Sequence, residues 1–212
     1  MYTYKITKHR LDFIKPAKTS RNTFLHRDIW VIELFDAQGN AGSGEASPLS
    51  LLSVDDDPAY EQVLKSKLEL FCANGSLEEA ELNGWPSIRF GIETALLDLT
   101  STEDKLFDTP FTRGEQSIPI NGLVWMNEAP LMLEEALEKI KWGFSVIKIK
   151  VGALDFDEEC RLLEQIKQRY DAFKITLRLD ANGGFKADEA QEQLNELKRF
   201  EIHSIEQPIA TK

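Results

Sequence analysis

Three short runs in the second half of the chain carry residue types that can do chemistry. In Val146-Ile147-Lys148-Ile149-Lys150-Val151 the two lysines stand two positions apart. In an extended strand they share one face, and Ile147, Ile149 and Val151 take the other. In Leu177-Arg178-Leu179-Asp180-Ala181-Asn182 the same alternation puts Arg178, Asp180 and Asn182 on one face. Ile205-Glu206-Gln207-Pro208 adds an acid at the end of a third apolar run. Taken singly, each has a plain structural explanation. An edge strand with a solvated face accounts for the lysines, Asp-Ala-Asn-Gly-Gly is good turn chemistry, and Glu206 reads as an exposed loop acid. Taken together they say more. Two carboxylates facing two lysines form a hard-oxygen site suited to Mg²⁺ or Mn²⁺ rather than Zn²⁺. A lysine beside a second lysine and a divalent cation has its ammonium form disfavoured, so it can act as a base near neutral pH.

The elements that must position these residues alternate strand and helix. Ser117–Trp125, Phe144–Val151, Ile175–Asp180 and a run ending in Ser204–Pro208 read as strands. Residues 129–141, closed by Gly143, read as a helix, as do Asp155–Tyr170, with Phe156, Leu162, Leu163 and Ile166 inward, and Ala187–Phe200, with Leu194 and Leu197 inward. Such βα repeats of about 30 residues imply a parallel sheet with covering helices, and such sheets place ligands at the carboxyl ends of their strands. A closed eight-stranded barrel needs about 200 residues or more. The 96 residues from Ser117 to Lys212 supply about half of one.

The first half reads differently. Residues 2–14 and 28–35 look like strands, with Asp36–Asn40 as a turn and a return strand through 41–45. Two helices follow. The first has Asp57 as N-cap, Pro58 at N1, a stripe of Tyr60, Val63, Leu64, Leu68 and Phe71, and an end at Asn74-Gly75. The second starts near Pro86 with Ile88, Ile92, Ala95, Leu96 and Leu99 inward. Asp55-Asp56-Asp57 is best explained as acids enriched at a helix N-terminus. Strands followed by helices make an α+β domain over residues 1–115, with residues 116–212 as the second domain.

Composition narrows the function classes. The chain has 212 residues, 25 Lys plus Arg, 36 Asp plus Glu and a formal charge of −11. That balance argues against nucleic acid as the main partner. With 42% apolar and 29% charged residues the chain is a folded protein rather than a disordered one. No run approaches 18 apolar residues and the N-terminus lacks an apolar h-region, so neither a membrane span nor a signal peptide is expected. Cys72 and Cys160 are isolated, which reads as two buried thiols in a cytoplasmic protein. His9, His26 and His203 stand on separate segments without ligand partners, Ser47 lacks a GxSxG elbow, and no Gly-rich phosphate loop is present.

The three runs resemble the signatures of the enolase superfamily, in its muconate-lactonizing-enzyme-like branch. Lys148-Ile149-Lys150 matches the second barrel strand, Asp180-Ala181-Asn182 the third and Ile205-Glu206-Gln207-Pro208 the fourth. Gly44-Glu45-Ala46-Ser47-Pro48-Leu49 resembles the capping-domain loop that closes over substrate. Within the branch, Pro119–Met126 looks most like the o-succinylbenzoate synthase group of menaquinone biosynthesis. The resemblance implies an α/β fold: an N-terminal α+β capping domain followed by the first half of a modified (β/α) TIM-type barrel. It implies Lys150 as the catalytic base, Lys148 as the positive neighbour that eases its deprotonation, Asp180 and Glu206 as Mg²⁺ ligands, and Asn182 beside the metal. Arg21, Pro48 and Leu49 would meet the substrate, with Arg21 equally readable as a solvated loop arginine. The implied reaction removes a proton α to a carboxylate and expels water.

The family also carries a third carboxylate on the fifth strand and a lysine on the sixth, beyond Lys212. The resemblance therefore implies a natural protein longer by more than 100 residues, and for these 212 residues alone weak metal binding and no turnover. Two alternatives stand beside the dehydratase. One is an epimerase or racemase acting on dipeptides or N-acylated amino acids. The other is a non-catalytic half-barrel that needs a partner to close, because open sheet edges favour association, and a second copy of the chain would serve.

Overall fold

A computed structural model describes residues 1–18, 22–101 and 105–210. Its contacts divide the chain into two compact units, residues 1–15 with 25–117, and residues 16–24 with 118–212. The architecture is α/β, with a three-stranded antiparallel sheet near the N-terminus and a four-stranded parallel sheet after it.

The first sheet has the order β1 (Thr3–Lys18), β2 (Thr23–Phe35), β3 (Ala41–Ala46). The expected turn at Asp36–Asn40 joins β2 to β3. Asp36 closes it by accepting the backbone N–H groups of Gln38 and Asn40 at 2.9 and 2.8 Å. Pairing Trp30 with Ala46 and Ile32 with Gly44 puts Trp30, Ile32 and Leu34 on the buried face. Helix α1 (Tyr60–Asn74) buries Tyr60, Leu64, Leu68 and Phe71, and Gly75 ends it with φ +77° and its N–H on the Phe71 carbonyl. The N-cap is Ala59 rather than Asp57. Asp57 instead turns the preceding chain, accepting the Ala59 N–H at 2.7 Å. A 3₁₀ turn at Glu79–Leu82 leads to α2 (Pro86–Thr100), which buries Ile88, Gly91, Ile92 and Ala95.

One acid of the triplet, Asp55, serves a different helix from the one expected. Asp55 is 2% exposed and accepts both the backbone N–H and the hydroxyl of Ser87, at 2.8 and 2.6 Å. It thereby satisfies an orphan donor in the first turn of α2, 32 residues along the chain. Tyr60 joins this network through its hydroxyl, 2.6 Å from that of Ser87.

Strand β3 meets α2 backbone to backbone. A Cβ added at Gly42 would lie 2.2 Å from the Leu99 nitrogen, and one at Gly44 would lie 2.0 Å from the Gly91 carbonyl oxygen. Gly44, Glu45 and Ala46 therefore belong to a packed strand, and the loop expected over 44–49 is confined to the residues after Ala46.

The second unit runs β4 (Gly122–Val124), α3 (Ala129–Lys141), β5 (Val146–Lys150), α4 (Phe156–Phe173), β6 (Thr176–Asp180), α5 (Ala190–Leu197) and β7 (Ser204–Glu206). The parallel order β4-β5-β6-β7 follows the chain. Ile147, Ile149, Leu177 and Leu179 form one core with Met132, Ala136 and Ile140 of α3 and Leu162, Leu163 and Ile166 of α4. The helices thus cover the isoleucine face and leave the lysine face to the sheet interior. Two elements are shorter than expected. The strand read over Ser117–Trp125 is regular only at 122–124, because Pro119 offers no N–H and Ile118 and Ile120 are exposed. The helix read over 187–200 starts at Ala190 and tightens to a 3₁₀ turn at Lys198–Phe200. Both cysteines are free, but Cys160 alone is fully buried. Among the described residues no helix is long and apolar enough to cross a membrane.

The loop between β5 and α4 is held by a buried acid. Glu159, 3% exposed on α4, accepts the backbone N–H groups of Gly152, Ala153 and Leu154 at 2.6, 3.2 and 3.2 Å. Burial pushes its carboxyl up to about 6, against the three hydrogen bonds that favour the anion. The folded state thus binds this proton more tightly than the unfolded chain. The stabilisation is complete below the unfolded value of 4.5 and is lost as pH rises through 6. Urea unfolding at pH 4 to 7 should show wild type losing about 2 kcal/mol relative to Glu159→Gln across that window. Parallel profiles for the two proteins would contradict this.

Candidate active site

The second unit brings the candidate residues together in two rows. Lys150, Asp180 and Glu206 are register partners at the carboxyl ends of β5, β6 and β7, and Lys148, Arg178 and Ser204 form the row beneath. Lys150 Nζ donates to Asp180 Oδ2 at 2.8 Å and to Asn182 Oδ1 at 2.8 Å. Lys148 Nζ reaches up from the lower row to Asp180 Oδ2 at 2.9 Å and Glu206 Oε2 at 2.5 Å. The other Asp180 oxygen accepts the Asn182 backbone N–H at 3.0 Å. Asn182 itself sits at φ +47°, a left-handed conformation that asparagine tolerates better than most residues.

The cluster is dry at its centre and open at one side. The Asp180 side chain is 2% exposed and that of Glu206 is 62% exposed. Burial alone would raise the Asp180 carboxyl, but hydrogen bonds from Lys150, Lys148 and the Asn182 N–H outweigh it and hold it below the usual carboxylate value. Burial likewise pulls the Lys148 ammonium down, and its bonds to Glu206 and Asp180 overcome that and leave it raised. The Lys148–Asp180 contact is the strong arm, and water screens the Lys148–Glu206 arm.

Five of the residues singled out from sequence, Lys148, Lys150, Asp180, Asn182 and Glu206, therefore form one connected network. Arg21 lies outside the described residues. Pro48 and Leu49 lie in the first unit, where the Leu49 N–H is bound by the Ser53 hydroxyl and Arg27 donates to the Ser47 carbonyl at 2.5 Å. Two neighbours had no assigned role. Trp125, just past β4, places its ring 5.9 Å from the Lys150 ammonium, a cation–π arrangement. Its position at the end of a barrel strand was the available signal. Arg178 shares the inner face, and its Nε is buried with no hydrogen-bond partner among the described residues.

The donor set suits a hard divalent cation. Among the described residues no three His, Cys, Asp or Glu side chains cluster to hold a metal. Mg²⁺, however, is commonly bound through one or two carboxylates with substrate and water oxygens completing its shell. Asp180 and Glu206 supply two such carboxylates on adjacent strands, and the Lys148 ammonium already shows that a cation is accepted between them.

Comparison with known proteins gives a consistent picture. Residues 131–212 match the family described as enolase C-terminal domain-like. The chain is 36% identical over 235 residues to an o-succinylbenzoate synthase from Desulfotalea psychrophila, covering 94% of this chain and 62% of that one. It is 28% identical to a D-Ala-D/L-Ala epimerase from Cytophaga hutchinsonii, over 92% of this chain and 55% of the other. The crystal structure of MenC from Desulfotalea psychrophila superposes with a TM-score of 0.76 at 31% identity, over 98% of this chain and 64% of that one. A dipeptide epimerase from Cytophaga hutchinsonii, solved with Mg and the dipeptide D-Ala-L-Val, shares the fold with a TM-score of 0.73 at 24% identity, over 98% and 58%. The chain thus spans about three fifths of the length of the curated relatives it matches.

Proposed function

Because the chain belongs to the enolase superfamily, we propose that the protein carrying it is a Mg²⁺-dependent lyase of the o-succinylbenzoate synthase type. The observation that carries this is the shared network of Lys148, Lys150, Asp180 and Glu206 at the ends of three adjoining strands. Its substrate would be a succinyl-substituted hydroxycyclohexadiene carboxylate. Lys150, once neutral, takes the proton from the carbon α to the carboxylate. The electron pair left by that C–H bond forms the new ring double bond as the C–O bond breaks. The departing hydroxyl takes its proton from Lys150, so one lysine serves as base and then acid and the products are an aromatic ring and water. Asn182 and Asp180 hold the Lys150 amine at a fixed point, and Lys148 keeps positive charge beside it. A divalent cation on Asp180 and Glu206 would supply Lewis-acid stabilisation of the charge that develops on the substrate carboxylate.

The 28% identity to an epimerase supports a second reading, α-proton exchange on a dipeptide without elimination. One experiment separates the two. The purified protein is given Mg²⁺ and either substrate in deuterated water. The lyase reading requires growth of the aromatic product's ultraviolet absorbance. Deuterium incorporation into a dipeptide with no dehydration of the cyclohexadiene would replace it with the epimerase reading.

A further inference from the structure

The buried Glu159 belongs to no row of the cluster, yet the loop it grips starts at the next residue but one after Lys150. Its Oε1 gathers three consecutive N–H groups, those of Gly152, Ala153 and Leu154. The gripped loop lies backbone to backbone on the loop that follows β6. A Cβ at Gly184 would meet the Gly152 carbonyl oxygen at 2.4 Å, and one at Gly152 would meet the Ala181 carbonyl oxygen at 3.0 Å. Val151 also donates to the Asp180 carbonyl at 2.9 Å. The second loop carries Asn182, whose side chain accepts from Lys150. A continuous path of short contacts thus runs from Glu159, through two loop backbones, to both partners of the Lys150 ammonium.

We propose that Glu159 is a positioning residue: by clamping the β5–α4 loop it fixes Lys150 against Asp180 and Asn182. The proposal rests on the reading of Lys150 as the base, and its main readout does not need turnover. Lysines in the purified protein are labelled competitively with an acetylating reagent and quantified by mass spectrometry. In Glu159→Leu, Lys150 should label about tenfold faster, because local opening frees it. Lys139 and Lys141 on α3 should keep their rates. Glu159→Gln retains the acceptor oxygen and should restore most of the slow labelling. Where the protein turns over, Glu159→Leu should lower kcat by about 10- to 100-fold with KM changed far less, since misplacement of a reacting group acts on the chemical step. Unchanged Lys150 labelling in folded Glu159→Leu would overturn the proposal, as would a parallel rise at every lysine, which marks general loosening. If Glu159→Leu does not fold, Glu159→Ala, which likewise removes the acceptor oxygen, decides: a Lys150 rate several-fold above wild type, with α3 unaffected, supports the clamp, and no change rejects it. Failure of the lyase reading would appear separately, as wild-type protein without turnover and an intact labelling contrast.

Discussion

Lys150→Ala should lower kcat by about 10² to 10⁴ while leaving the circular dichroism spectrum unchanged, since general acid–base groups typically contribute that much. The fold is expected to survive because the buried partner is not orphaned. Asp180 keeps the Lys148 ammonium at 2.9 Å and the Asn182 N–H at 3.0 Å. Asp180→Ala is a poorer probe of the chemistry, because it takes the shared buried counter-ion from the Lys148 and Lys150 ammoniums and would cost several kcal/mol. Lys150→Arg should fail almost as badly as alanine, because a guanidinium does not give up its proton in the working pH range. Steady-state kinetics in either the dehydration or the epimerisation assay measures this. A kcat within threefold of wild type for Lys150→Ala would remove Lys150 as the base.

Gly44→Ala should cost the first unit much of its stability. The new Cβ would stand 2.0 Å from the Gly91 carbonyl oxygen and 2.7 Å from the Ala95 nitrogen. Both are backbone atoms of α2, so no side chain can rotate away and the helix itself must move. Overpacking of well-filled cores costs about 1 to 3 kcal/mol where side chains give, and about 3 kcal/mol or more is expected here. That corresponds to a drop in Tm of roughly 10 °C or more. Gly39→Ala is the matched control. It adds the same methyl into open space in a left-handed turn, φ +87°, and should cost only about 1 kcal/mol. Equal Tm losses for the two variants would show that the β3–α2 contact is not the constraint.

The cluster was legible from sequence for a simple reason. Alternation with period two assigns Lys148 and Lys150 to one face whatever the surroundings, and Ile147 and Ile149 to the other. The helix stripes Leu64, Leu68, Phe71 and Ile88, Ile92, Ala95 were legible for the same reason at period 3.6. What stayed hidden depends on contacts distant in sequence. Nothing near Asp55 announces that its partner is Ser87, and nothing near Gly44 announces a helix backbone at its Cα. The apolar run 117–125 carries strand-forming residues along its length, but only Gly122–Val124 find β5 to pair with. The place of Trp125 beside Lys150 is likewise hidden, because a ring facing an ammonium leaves no spacing pattern.

Asn182 at φ +47°, Gly183 at φ +74° and Gln207 at φ +42° are left-handed residues that follow the strand ends carrying Asp180 and Glu206. They set the mutational tolerance of these positions. A left-handed backbone disfavours β-branched side chains by about 1 to 2 kcal/mol per residue, so drift there is channelled towards glycine and asparagine. The two candidates are not equivalent at position 182. Glycine would relax the backbone but delete the oxygen that Lys150 uses, whereas asparagine satisfies both demands. At position 207, where the side chain has no such task in the network, glycine is the freer choice. A library built on this scaffold would therefore keep folded members at position 207 chiefly with glycine or asparagine, and would find position 182 narrower still, for reasons of both backbone and chemistry.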